Sequence, residues 1–254
     1  MLRSRVFGQV ADVYDRVRPG YPEQLVDDVL GYADGAPAPA LEVGAGTGKA
    51  TTAFAARSLP VTALEPDPAM AAVLRRRVAG LPGVTVVVSS FEEYRPQRRF
   101  GLLFCADAWH WTEPAVRWQR AAGALRERGT LALFWHGDRF IDDAVTAAFV
   151  DVHNRCAPDL VSTEILSPPP GQLTTTWPYT ELVAVPEFGD VAVREYPWLL
   201  TLSRADHLAL LSTRSIYRIM PEGRRTAVFD ALDRALPDEV ALAVTTTLYL
   251  ARRR

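Results

Sequence analysis

The stretch Ala40-Leu41-Glu42-Val43-Gly44-Ala45-Gly46-Thr47-Gly48 constrains the fold more than any other part of the chain. A short apolar run carries an acid and then turns through three alternating glycines. Helix-forming residues follow at once from Lys49 to Arg57, and a second apolar run, Val61 to Leu64, closes on Glu65. Strand, glycine turn, helix, strand and acid, in that order, describe a nucleotide-type pocket at the carboxyl end of a parallel sheet.

The glycines select among such pockets. A phosphate-binding P-loop needs G-x-x-x-x-G-K-[ST]. Gly48-Lys49 supplies the G-K pair, but Val43 occupies the first glycine position and Ala50 the hydroxyl position. A dinucleotide fingerprint needs G-x-G-x-x-G; Gly44 and Gly46 fit, and Lys49 stands where the third glycine belongs. What remains is G-x-G-x-G flanked by Glu42 and Glu65. Glycines alone would describe an ordinary strand-to-helix turn; the flanking strands and acids at this spacing favour a ligand site.

This pattern resembles motif I of the class I S-adenosylmethionine (SAM) methyltransferases. The resemblance implies SAM as cofactor. SAM has no phosphate, and it carries a cationic amine and a cationic sulfonium, which suits an acid such as Glu42 near the turn. Glu65 lies 17 residues after Gly48, where the family places a carboxylate that accepts hydrogen bonds from both ribose hydroxyls. By position the resemblance assigns cofactor contacts to Glu42, Gly44, Ala45, Gly46, Gly48, Glu65, Pro66, Met70, Ser90, Phe91 and Ala106. Ser90 and Phe91 would meet the adenine edge, where the family usually has an aspartate in place of Ser90; a plain loop is the alternative. Met70 either packs on the adenine or is a core methionine of an amphipathic helix.

Apolar runs at Val84–Val88, Phe100–Cys105 and Thr130–Trp135 predict three more buried strands. Helices are expected from Pro22, with Leu25, Val26, Val29 and Leu30 on one face, after Pro66-Asp67-Pro68, and from Pro114 to Gly129. Phe7 to Tyr21 has only a weak helical stripe. The alternation stops after His136, and residues 137–189 form an insertion with a helix over Asp142–Ala157 and a proline loop at Ser167–Gly171. A sixth strand over Val191–Leu202 and helices over Arg204–Ser212 and Pro221–Ala235 precede the period-two run Leu242–Leu250, which suggests an antiparallel seventh strand. The expected fold is therefore α/β, a Rossmann-like, seven-stranded, mostly parallel sheet with an antiparallel last strand, helices on both faces, and a helical insertion after strand five. A single domain over 1–254 is expected, with a cap and helix at 1–35 and a lid or substrate region at 137–189.

The segment Cys105-Ala106-Asp107-Ala108-Trp109-His110-Trp111 follows the fourth strand. With its His-Trp pair it resembles the small-molecule branch of the same family, the type 11 or trans-aconitate methyltransferase-like enzymes. The N-terminal Tyr14-to-Pro22 segment resembles that branch too, where it folds over the cofactor. The resemblance implies a catalytic role for His110 and substrate contacts for Tyr14, Arg18, Tyr21, Trp109 and Trp111; His136, just past the fifth strand toward the mouth of the pocket, is a second catalytic candidate by position alone. Arg18 would pair with a substrate carboxylate. A histidine bonded to backbone and a tethering or dimer-forming N-terminus are the alternatives.

Composition narrows the rest. A net charge of −2 across 254 residues gives no nucleic-acid footprint. There is no apolar run of membrane length and no apolar signal core at Met1–Val10. Of two cysteines, Cys105 ends a core strand and reads as a structural thiol. No metal-ligand spacing and no G-x-S-x-G elbow occur. Taken with the resemblance, these features lead us to expect a cytoplasmic monomer or homodimer that transfers a methyl group from SAM to an O, N or C nucleophile of a small molecule without a metal. The alternatives are a SAM-binding enzyme of the same fold with other chemistry, and a non-catalytic SAM-binding module.

Overall fold

A computed structural model of the chain describes residues 8–34, 39–160 and 173–254. Residues 35–38, just before the first strand, and the proline loop at Ser167–Gly171 lie outside the described residues. Seven strands form one sheet: β1 (Ala40–Val43), β2 (Val61–Leu64), β3 (Val84–Val87), β4 (Phe100–Ala106), β5 (Leu125–Phe140), β6 (Phe188–Ser203) and β7 (Glu239–Arg253). Their order is β3-β2-β1-β4-β5-β7-β6. β1 pairs in parallel with β2 and β4, β2 with β3, and β4 with β5.

The strand β7 runs against its neighbours. The Arg254 N–H, past the end of β7, donates to the Glu187 carbonyl before the start of β6 at 2.9 Å. At the opposite ends the Arg204 N–H donates to the Asp238 carbonyl at 2.8 Å. Ile141, past the end of β5, likewise donates to Ala241 near the start of β7 at 3.2 Å. End meeting start is the signature of antiparallel pairing, so the expected reversed last strand is present.

The residues gather into two compact units. The larger comprises the described residues of 19–135, 170–196 and 246–254, and the smaller those of 1–18, 136–169 and 197–245. The long strands β5, β6 and β7 contribute residues to both.

In the larger unit, period-two alternation sorts side chains onto the two sheet faces. Leu102 and Phe104 of β4 join Ala132 and Phe134 of β5 and the buried Leu25, Val26 and Val29 of α2 (Glu23–Tyr32). Phe54 of α3 (Lys49–Ala55) stacks on Phe104 with ring centroids 4.2 Å apart. Leu103 and Cys105 face the other way, with Leu131, Leu133, and Ala121 and Ala122 of α5 (Arg117–Ala124). Each fully buried large side chain contributes about 1.5–3 kcal/mol. The helix α4 (Pro68–Arg77) starts on the side chain of Asp67, which accepts from the Ala69 and Met70 N–H groups at 2.8 and 3.3 Å. The short α7 (Tyr179–Leu182) also belongs here.

In the smaller unit α1 (Ala11–Val17) lies on α8 (Arg204–Ser212). The helices α6 (Asp143–Cys156), α9 (Ser215–Arg218) and α10 (Glu222–Ala235) bury Phe149, Val152, Tyr217, Val228 and Leu232 together. Val240, Leu242 and Val244 of β7 form a second cluster with Trp198, Leu200 and Leu202.

Three local expectations are corrected. The Phe7–Tyr21 segment contains a true helix, α1, whose buried face is only Ala11 and Val17, too sparse for a periodic signal. β3 is an edge strand and is only partly buried, with Val88 beyond it 42% exposed; its valines reflect strand propensity rather than two covered faces. The helix expected from Pro114 to Gly129 runs only from Arg117 to Ala124. Leu125 already pairs with Phe100, while Thr130 pairs with Leu102, so four intervening residues face one. That bulge places Arg128 at φ +56°, and the strand then continues to Phe140.

Candidate active site

The strand order reverses between β1 and β4, and the segments that leave their carboxyl ends meet there. Gly44 and Gly48 have φ of +69° and +90°, a region that strains any residue with a Cβ. A Cβ at Gly44 would stand 2.5 Å from the Ala108 Cβ, so the turn is pressed against the loop after β4. A Cβ at Gly48 would stand 2.4 Å from the Leu74 Cδ1, where α3 meets α4. These two glycines answer to the chain's own packing as well as to any ligand. Met70 is buried, and a Cβ at Gly46 would stand at an ordinary contact distance of 3.7 Å from its Cε.

Glu65 is fastened across this turn. Its Oε2 accepts the Gly46 N–H at 2.8 Å, and its Oε1 accepts the Asp67 N–H at 2.8 Å. Each oxygen keeps a second acceptor position. Burial pushes the Glu65 pKa up to about 7, against the lowering effect of the two backbone donors. Glu42 is fully buried. Its Oε2 accepts from the Thr51 hydroxyl at 2.5 Å, while Oε1 has no hydrogen-bond partner among the described residues. Burial pushes its pKa up to about 8; the Thr51 bond opposes this and the Glu65 charge adds to it. A buried acid with a bare oxygen and a second acid with spare lone pairs suit a ligand that brings positive charge and hydroxyl donors. The residues therefore fit SAM.

Beyond β3, Ser90 opens a turn: its hydroxyl accepts the Glu93 N–H at 3.2 Å and its carbonyl the Tyr94 N–H at 3.1 Å. The Phe91 ring goes into the core against Trp109, and its carbonyl accepts from the Arg120 guanidinium at 3.0 and 2.7 Å. Only its backbone N–H is left for the adenine-edge role.

Ala106 ends β4, and Asp107 follows at φ +53°. The Asp107 N–H donates to the Phe134 carbonyl at 2.9 Å, and its Oδ2 accepts from the Tyr21 hydroxyl at 2.8 Å. Trp109, expected as a site wall, is fully buried between Phe91 and Trp118 and so supports the loop from inside. Trp111 is half-buried with its ring 4.7 Å from that of His110. His110 keeps an exposed edge, and its Nδ1 accepts from the Trp135 indole at 3.4 Å. Crowding by protein atoms on its other sides, with Arg117 adding, holds its pKa below the ordinary histidine range; Asp107 pulls the other way.

Glu42, the glycine turn, Glu65, Pro66, Met70, Ser90, Phe91, Ala106, Tyr21, Trp109, His110 and Trp111 all belong to the larger unit. Tyr14, Arg18 and His136 belong to the smaller. There the Arg18 guanidinium lies over the Tyr14 ring at 5.1 Å and donates to the Thr213 hydroxyl and carbonyl at 2.9 and 3.2 Å. His136 sits edge-on to Trp198 at 5.7 Å.

Sequence reasoning missed Asp107, Asp67 and Trp135. An aspartate between two alanines just past a strand is a recognisable left-handed position. Asp67 before Pro68 is a cap signal. Trp135 looked like one more core residue of its strand. Among the described residues no group of three or more His, Cys, Asp or Glu is placed to hold a metal, and no helix is long and apolar enough to cross a membrane.

Residues 40–129 match the methyltransferase domain family. An uncharacterised methyltransferase of Mycobacterium tuberculosis is 38% identical over 137 residues, 52% of this chain and 53% of that protein. The chain thus spans about half the length of such relatives. A solved structure from Anaeromyxobacter dehalogenans, whose type II methyltransferase assignment is itself provisional, superposes with a TM-score of 0.63 at 24% identity, over 93% of this chain and 97% of that one. A SAM-dependent methyltransferase from Geobacter sulfurreducens in complex with S-adenosyl-L-homocysteine gives 0.53 at 14% identity over the whole of both chains. At these identities the two structures speak to the fold alone.

Proposed function

On the domain at residues 40–129 the chain belongs to the class I SAM-dependent methyltransferases, and from that premise we propose that it transfers the methyl group of SAM to a small-molecule acceptor. The observation that carries the reading is Glu65. It is a carboxylate pinned to the glycine turn by the Gly46 N–H and to the start of α4 by the Asp67 N–H, with acceptor capacity left over.

When bound, SAM supplies a methyl group on an already electrophilic sulfonium. The chain's own task is then alignment and exclusion of water rather than activation. Glu65 takes the ribose hydroxyls, Glu42 balances positive charge near the turn, and the Ser90–Phe91 backbone borders the adenine. The Ala106–Trp111 loop is pressed on Gly44 through Ala108, so it borders the methyl end. Its half-buried Trp111 ring and exposed His110 imidazole suit a compact organic acceptor, and the net charge of −2 offers no attraction for nucleic acid. No metal is needed, because the leaving group carries its own charge.

The test is a screen of small-molecule acceptors with an isotopically labelled methyl donor, followed by product mass. Labelled product from a small acceptor is the expected result. Labelled protein or nucleic acid as the only product would reject the small-molecule reading.

A further inference from the structure

We propose that Trp135 is a positioning residue that fixes His110 as an Nε2–H hydrogen-bond donor rather than a base. This rests on the reading that the Ala106–Trp111 loop borders the methyl acceptor. An indole has one polar atom, a donor N–H, and cannot accept. The Trp135 Nε1–H points at the His110 Nδ1 at 3.4 Å. Nδ1 therefore carries the lone pair, and the proton of the neutral ring sits on Nε2. The opposite tautomer would set an imidazole N–H against an indole N–H, two donors head to head.

The indole cannot easily turn away. Its ring meets Trp177 edge-on at 5.3 Å and Tyr249 edge-on at 6.0 Å. Tyr249 is itself buried, and the Trp177 ring lies under the Arg117 guanidinium at 5.3 Å. The His110 ring has Trp111 on its other side. The charged groups that act on it are Asp107, on its own loop, and Arg117, on α5. Asp107 favours the cationic ring and Arg117 opposes it, so neither selects between the two neutral tautomers. The indole contact does.

A histidine locked in this way offers Nε2–H to an acceptor lone pair. It can hold and orient an acceptor heteroatom. It cannot take a proton at Nε2 without first surrendering the one already there.

The experiment uses the full chain with 15N-labelled histidine. Long-range 15N–1H correlation spectra report which ring nitrogen is protonated, and H110N identifies the His110 signals among the four histidines. In the parent, Nδ1 should read as unprotonated and Nε2 as protonated at neutral pH. In W135F the ring is kept and the donor lost. The tautomers should mix, and the His110 pKa should rise by about half a unit to one unit, because a bond opposing Nδ1 protonation is gone. A protonated Nδ1 in the parent overturns the proposal, whatever the variant does. So does an unchanged tautomer and pKa in folded W135F. If W135F does not fold, a protonated Nδ1 in the parent still overturns the proposal, and W135L, which also lacks the donor, replaces W135F with the same expectation. The tautomer needs no turnover, so absence of methyl transfer with Nε2–H intact would sink the functional reading and leave this one standing.

Discussion

Glu65 serves two partners at once, which sets what its removal should do. E65A deletes an acceptor for the Gly46 and Asp67 N–H groups and, on the proposed reading, for the two ribose hydroxyls. A hydrogen bond to a charged group is worth about 1.5–3 kcal/mol, so calorimetry should show SAM affinity at least tenfold weaker, with a modest drop in melting temperature. Unchanged affinity would move the ribose contact elsewhere. The raised pKa values add a sign. Glu42 and Glu65 titrate in the fold near 8 and 7, against 4.5 for an ordinary glutamate. The ligand-free fold thus binds more protons than the unfolded chain between pH 4.5 and 8, and loses stability as pH rises through that window. A cationic ligand favours the ionised acids. SAM binding should therefore release protons near pH 7 and tighten as pH rises from 6 to 8, as read by calorimetry in buffers of different ionisation heat. Proton uptake would contradict it. His207 gives the opposite slope. It is buried, neither ring nitrogen has a hydrogen-bond partner among the described residues, and its pKa is pushed down to about 4, first by burial and then by Arg214. Unfolding lets it charge, so the fold loses stability as pH falls from 6.5 toward 4. By linkage that is about 2 kcal/mol between pH 7 and pH 5. Urea titration of H207L at the two pH values should show this dependence reduced by that amount.

At the scale of elements, the glycine turn and the loop after β4 are one packed unit, and G44A tests that. The new methyl group would meet Ala108 at 2.5 Å on a backbone at φ +69°. Strain of this kind costs on the order of 1–3 kcal/mol. G44A should lower the melting temperature, and A108G in the same chain should restore part of the loss, since it relieves the clash but not the φ. No rescue would mean that the two segments are not pressed together. The elements themselves were legible because their signals are local. The bounds of β2 and α8 were readable to the residue from apolar runs and flanking breakers. The Ser203 cap that starts α8 added its own mark. Less legible was whatever depends on a partner distant in sequence. The bulge that ends α5 early exists because Phe100 claims Leu125. Trp109 looked like a wall because its loop is at the sheet edge, yet Phe91 and Trp118 enclose it. The Tyr21–Asp107 bond joins residues 86 apart, and the Trp135–His110 bond joins residues 25 apart. Neither pairing leaves a periodic trace. The glycine–acid pattern was readable because one turn and one neighbouring strand build it.

For the whole molecule, the sheet supplies a parallel core whose carboxyl edge holds the acids and the glycine turn, and β7 closes the order by running backwards between β5 and β6. Every cofactor residue expected from the sequence falls in the larger unit, which also contains the matched methyltransferase domain at residues 40–129. This edge takes SAM, and not a phosphate-bearing nucleotide, and calorimetric titration of the full chain with SAM, NAD and ATP in parallel tests that choice. Saturable one-to-one binding of SAM, with NAD and ATP at least tenfold weaker, is the expected result. Binding of NAD or ATP as tight as that of SAM would contradict it.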